Sequence, residues 1–207
     1  MKKEATRSIG SVVIPVVLLV ALAWAPQSKA ISPGEKAPAF ELPATDGKTY
    51  NSRTIFPANK ATVVVFTCNT CPVAKAYEDR IIALAGEYQP QSVKFLAINP
   101  NDSSRIPAES FDEMKKRAAE KEFNFPYLWD ESQAVAKAYG AKVTPHFFVA
   151  DAEGIVRYVG RLDNNQQQNP NVNTSLDLKN SLEALLKGDE PPASVTKAFG
   201  CGIKWKQ

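Results

Sequence analysis

The 207-residue sequence predicts an α/β domain, a central mixed sheet flanked by helices and preceded by an N-terminal β-hairpin. Three observations carry that prediction. The run ATVVVFT at 61–67 holds no charge and six β-branched or aromatic residues in succession, as a strand buried on both faces requires. Residues 72–88 then place Val73, Ala76, Tyr77, Ile81, Leu84 and Ala85 at helical spacing, with Pro72 in the first turn. A second apolar run at 93–98 follows, so strand, helix and strand succeed one another over about 38 residues, as in a βαβ unit with a right-handed crossover. Further on, 147–150 and 155–159 flank the turn Asp151 to Gly154. That antiparallel hairpin makes the sheet mixed.

The remaining elements follow in chain order. Residues 31–43 form a Pro- and Gly-containing entry with a short strand at 39–42. Asp46-Gly47 is a turn dipeptide from which 48–50 returns as the second strand of a hairpin. Ser110 to Glu113 is a capping box opening a helix to about Glu122. Asp130 followed by Gln133 opens another helix, which runs to Tyr139 and stops at Gly140. Residues 164–173 are rich in Asn and Gln and read as a solvated loop. A last helix spans 174–186 with Leu178, Leu182, Leu185 and Leu186 inward. Trp129, Phe147 and Phe148 read as core, and Lys115-Lys116-Arg117 as a solvated helix face.

The N-terminus sets the compartment. Lys2, Lys3 and Arg7 precede an apolar stretch at 12–25, and Ser28 and Ala30 stand at the −3 and −1 positions of a cut after Ala30. This is the order of a secretory signal peptide. An uncleaved anchor is the alternative, since the 17 residues 9–25 reach the lower limit for a membrane span; Pro15 and the Ser-Lys-Ala triplet favour cleavage. Either way residues 31–190 form a domain exported to the periplasm or another extracytoplasmic space, where disulfides persist. Residues 191–207 follow as a tail. The formal charge of +3 is carried by residues 1–30, so the domain is neutral and a nucleic-acid partner is disfavoured. With 44% apolar and 23% charged residues, the chain reads as an ordinary globular one.

One motif carries chemistry. Cys68-Asn69-Thr70-Cys71-Pro72 lies where the buried strand gives way to the helix, and C-x-x-C beside a βαβ pattern is a redox spacing. Amides of the first helical turn and the helix dipole stabilise a thiolate there. Cys68, nearer the surface end of the turn, is expected to attack and Cys71 to resolve the mixed disulfide. A structural zinc site would need a second ligand pair, and only Cys201 and His146 remain. The exchange needs no cofactor.

Val143-Thr144-Pro145 opens a later strand. Together with C-x-x-C-P at a strand–helix junction, it resembles the thioredoxin-like superfamily. Residues 34–42, GEKAPAFEL, resemble the entry of the branch named for alkyl hydroperoxide reductase and thiol-specific antioxidant, the redoxins. FGCGIKW at 199–205 is similar to a peroxiredoxin-like subgroup. The resemblance implies a thioredoxin-like fold and a cis Pro145 beside the cysteines, with the Thr144 backbone free to pair with an extended substrate segment. It implies protein or small-molecule disulfides and thiols as partners, and an upstream thiol reductant. The sequence departs from those relatives at Thr67, where Trp is usual, and at Asn69-Thr70, where Gly-Pro is usual. It also lacks a carboxylate within 61–67, where thioredoxins bury one.

Two other activities fit part of the pattern. A peroxidase frame, P-x-x-x-T-x-x-C ending on Cys71, puts Val64 where Pro belongs and Cys68 where Thr belongs, with no arginine assignable to polarise a peroxide. A copper chaperone would hold Cu(I) with Cys68, Cys71 and His146, although copper chaperones of this fold space their cysteines by three residues. Cys201 leaves an odd count of three cysteines. It is either a structural thiol or a second resolving cysteine brought over Cys68 by a tail that Pro191-Pro192 stiffen.

Overall fold

The computed structural model describes residues 30–166, 168–169 and 171–207; the leader assigned to residues 1–30 lies, but for Ala30, outside the described residues. Among these, no helix is long and apolar enough to cross a membrane. The entry hairpin pairs β1 (Glu41–Pro43) with β2 (Thr49–Asn51), leading into the short α1 (Ser52–Ile55). The main sheet contains β3 (Ala61–Phe66), β4 (Val93–Asn99), β5 (Tyr127–Trp129), β7 (His146–Asp151) and β8 (Val156–Gly160), in the spatial order β5-β4-β3-β7-β8. Strands β3, β4 and β5 run parallel, whereas β7 pairs antiparallel with β3 and β8 antiparallel with β7. The sheet is therefore mixed, as expected.

All six residues of β3 are buried, because the strand is hydrogen-bonded on both edges and covered on both faces. Val63 and Val65 face a core filled from α2 (Pro72–Tyr88) by Tyr77, Ile81 and Ala85. The same core takes Met114 from α3 (Phe111–Glu120) and Leu178 and Leu182 from α5 (Asp177–Lys187). Val64 and Phe66 face the opposite core, with Leu42, Phe56, Phe148 and, from α4 (Ala134–Tyr139), Ala136 and Tyr139. Two independent apolar layers thus clamp the sheet, and β3 ends rigidly where the cysteine motif begins.

The structure corrects several local expectations. Helix α4 starts at Ala134, not Asp130. The Asp130 carboxylate instead accepts the Ala136 amide at 2.8 Å, and Gln133, in a left-handed conformation, is turned inward to bind the Pro100 and Lys204 carbonyls. Helix α5 begins at Asp177, three residues late, since Asn165 and Asn164 hold the Thr174 hydroxyl and the Ser175 amide in the preceding loop. The Asn/Gln loop is not simply solvated either: Asn165 is buried, and the adjacent buried Asp163 accepts from Tyr77 and pairs with Arg80 at 2.5 Å. Arg117, read as part of a solvated face, is mostly buried against Glu78.

The tail returns to the body. Thr196 donates its amide to the Val159 carbonyl, and its hydroxyl lies 2.6 Å from the Tyr158 hydroxyl. Farther on, Lys204 and Lys206 bond to Asn101 and Gln133. Between these anchors β9 (Cys201–Gly202) pairs antiparallel with β6 (Val143–Thr144), with Thr144 opposite Cys201.

Candidate active site

Cys68 ends the extended segment after β3, and Cys71 is the N-cap of α2. Pro72 at the first helical position suits this start, because its missing N–H would have no helical partner. The Ala74 amide points at Cys71 Sγ from 3.4 Å, one of the orphan donors of a helix N-terminus. Both cysteines are buried, each 3% exposed. Cys68 is therefore not the surface-facing thiol expected from its place in the turn: its sulfur is turned inward against the Thr144 side chain.

Thr144 forms the wall of the site. Its hydroxyl lies 3.1 Å from Cys68 Sγ, and its carbonyl oxygen lies 3.2 Å from Cys71 Sγ, accepting that S–H when it is protonated. The Thr144–Pro145 peptide is cis, as the resemblance implies. Cys201 Sγ stands 2.6 Å from Cys71 Sγ, so the tail brings the third sulfur to Cys71 and not, as expected, over Cys68. All three thiols are free.

The protons are unevenly held. The Cys71 pKa is lowered to about 4, first because the Cys68 thiol donates to it, with the Cys201 thiol and the Ala74 amide adding to the effect against burial. Cys68 is shifted the other way, first because its S–H is held by Cys71, then by burial and the Glu109 charge. Cys201 is pushed up to about 11 by burial and by its contact with Cys71. Of the three thiols, Cys71 is the one whose surroundings favour the thiolate, since it stands at the helix N-terminus, where negative charge is stabilised.

A residue with no sequence signal fixes the loop. Glu109, fully buried, accepts from the Asn69 amide at 2.8 Å, the Thr70 amide at 3.1 Å, the Thr70 hydroxyl, and the side-chain amides of Asn99 and Asn101. Five donors to one carboxylate satisfy a charge that would be costly if unpaired. Tyr127 adds a bond of 2.9 Å to the Asn69 side chain. The backbone between the two cysteines is thereby held from below.

These features meet the comparisons with known proteins. The AhpC/TSA family model matches residues 33–159. The chain belongs to the AhpC/TSA family. Comparison with curated proteins finds no match. Among solved structures, the chain is 39% identical to an uncharacterized conserved protein from Geobacillus kaustophilus, covering 84% of this chain and 92% of that one with a TM-score of 0.79. A hypothetical protein from Sinorhizobium meliloti 1021 is 33% identical, with coverages of 86% and 97% and a TM-score of 0.78. A peroxidoxin from Mycobacterium tuberculosis, at 21% identity, coverages of 62% and 84% and a TM-score of 0.53, shares the fold. Thiol:disulfide interchange proteins share it too. The protein is thus a thioredoxin-like redoxin. Where the sequence of this AhpC/TSA member offered no buried acid in β3, Glu109 supplies one from the turn before α3.

His146 takes no part in the site. It alternates with Phe148 and Ala150 toward the core face away from α2, its ring 4.5 Å from that of Phe148. Burial and the Lys142 charge lower its pKa to about 4, so it is neutral. Among the described residues, no three His, Cys, Asp or Glu side chains form a group able to hold a metal ion. The copper set of Cys68, Cys71 and His146 is not assembled, because strand alternation points the imidazole to the wrong face.

Proposed function

We propose that the protein is an exported thiol–disulfide oxidoreductase in which Cys71, not Cys68, is the attacking thiolate and Cys68 the resolving thiol. One observation carries the reading: Cys71 is the N-cap of α2, with the Ala74 amide aimed at its sulfur from 3.4 Å, a position that favours a thiolate and agrees with the lowering of its pKa. The thiolate attacks one sulfur of a partner disulfide, forming a mixed disulfide and releasing the other sulfur as a thiolate. Cys68, deprotonated as the Cys71 charge disappears, then attacks Cys71 Sγ and releases the reduced partner. The electrons come from the two cysteines, which end as a Cys68–Cys71 disulfide. Thr144, whose backbone already pairs with an extended segment at β9, offers the edge on which a partner segment would lie. Export is supported by the basic, apolar and small-residue order of residues 1–30.

A second reading has an observation of its own. Cys71 is also the sulfur that a peroxidase frame would use, so the acidic thiol suits attack on a peroxide as well as on a disulfide. Insulin reduction and hydrogen peroxide consumption, measured side by side on one preparation, separate the two. Insulin turnover well above peroxide turnover supports exchange; the reverse order establishes the peroxidase.

A further inference from the structure

The tail crosses the site as a strap pinned at both ends, by Thr196 on β8 and by Ile203 to Lys206 on residues 101–142. Its middle is Gly200-Cys201-Gly202. Gly200 is not interchangeable: a Cβ there would lie 2.0 Å from the Thr144 carbonyl oxygen and 3.1 Å from Pro145 N. The strap is therefore built to press its backbone against β6, which sets Cys201 opposite Thr144 and its sulfur against Cys71. Cys68 and Cys71 are both buried, while Cys201 is partly exposed. Of the three, Cys201 is thus the one within reach of a partner in solvent.

We propose that Cys201 is a third redox cysteine, forming a Cys71–Cys201 disulfide through which an external thiol reductant recharges the site. The proposal rests on the exchange reading for its first half-reaction. After the Cys68–Cys71 disulfide has formed, the Cys201 thiolate attacks Cys71 Sγ. The Cys71–Cys201 bond forms, the Cys68–Cys71 bond breaks, and Cys68 leaves as a thiolate that takes up the proton Cys201 gave up. No net oxidation occurs in that step. An external thiolate then attacks Cys201 Sγ, the accessible end, and Cys71 leaves as its thiolate. A second external thiol cleaves the mixed disulfide at Cys201, giving the oxidised reductant and a fully reduced site. Cys71 suits the role of leaving group because a low-pKa thiol leaves faster. The partner segment reaches Cys71 when the strap is lifted, and the reductant reaches Cys201 when it is closed, so the two half-reactions use opposite states of one strand.

Two readouts on the full chain test this. The oxidised protein is acid-quenched, alkylated and mapped by non-reducing peptide mass spectrometry, and its reduction by glutathione is followed in the wild type and in Cys201→Ser. Expected are a Cys71–Cys201 linked peptide, glutathione trapped on Cys201, and reduction about tenfold slower in Cys201→Ser, where only the buried pair remains to be attacked. Gly200→Val, which unseats the strap with every sulfur kept, should move the linkage to Cys68–Cys71; circular dichroism establishes that the variant is folded. Cys201 fully alkylated in the oxidised wild type, or equal glutathione rates in wild type and Cys201→Ser, would overturn the proposal. Insulin reduction is scored separately: its absence removes the exchange reading, whereas the disulfide map and the glutathione rates still decide the role of Cys201.

Discussion

Two segments bring sulfur to the site, and they are held in opposite ways. The loop from Cys68 to Cys71 is fixed at its centre: Glu109 takes the Asn69 and Thr70 amides, and two buried layers hold β3 before it and α2 after it. The strap from Thr196 to Lys206 is fixed at its ends and touches β6 at its middle through a two-residue ladder. The difference teaches what each half is for. The proposed attack and resolution need sulfurs at constant separation, and a buried carboxylate with five donors suits that need. Admission of a partner needs an edge that can be vacated, and a short ladder between two anchors can open without unfolding the domain.

The largest expected effect comes from breaking the fixed half at its reacting atom. Cys71→Ser should abolish insulin reduction while leaving the far-ultraviolet circular dichroism unchanged; turnover comparable to wild type would return the attacking role to Cys68. Next is the support beneath it. Glu109→Gln replaces an acceptor-only carboxylate with a group that presents its own N–H to buried donors, and should cost about 3 kcal/mol in urea unfolding. An unfolding midpoint like that of the wild type would show that the loop does not depend on this charge.

The third contrast is electrostatic. A cysteine with a folded pKa of about 4 and an ordinary value of about 9 favours the folded state above pH 9, and that contribution is lost as pH falls toward 4. The lowered pKa of His146 acts in the same direction but only below its ordinary 6.5, and the raised Cys201 pKa acts only above about 9. Between pH 6.5 and 9 the lowered Cys71 pKa makes stability rise with pH. The reduced wild type should gain stability relative to Cys71→Ser as pH rises through that window. Parallel curves would mean that the thiol is not acidified. Gly200→Val, by withdrawing the Cys201 donor, should raise the pH at which thiolate absorbance appears.

The smallest effect sharpens the strap itself. Gly202 stands two residues from Gly200, yet a Cβ there meets nothing within 4 Å. Gly202→Ala should leave stability within about 0.5 kcal/mol of wild type and the disulfide map unchanged. A shift as large as that of Gly200→Val would mean that the strap is sensitive to any stiffening, and not to its approach to Thr144.

The fixed half was partly legible from sequence and the strap hardly at all. The strand β3 and the start of α2 follow from residues adjacent in the chain: six buried apolar or β-branched positions, then Cys and Pro at a helix start. Glu109 lies 40 positions from Asn69, and a glutamate before a capping box reads locally as surface. Gln133, three residues after Asp130, reads locally as part of a helix start for the same reason, although its side chain is spent on the tail. The β6–β9 ladder joins two residues to two across 57 positions, too short to show a period. The odd cysteine count and the Pro-stiffened tail suggest that Cys201 approaches the pair. Only the register of that ladder decides that it meets Cys71.

The assignment of the attacking sulfur is tested most directly by trapping. Insulin is incubated with two reduced double variants, Cys68→Ser/Cys201→Ser and Cys71→Ser/Cys201→Ser, each retaining one thiol of the motif, and the adducts are mapped without reduction. Cys71 alone should accumulate a stable mixed disulfide with an insulin chain, since its thiolate attacks and no thiol remains to resolve it. Cys68 alone should accumulate none over the same period. Adducts at Cys68 and none at Cys71 would contradict the assignment and restore the first cysteine of the motif as the nucleophile.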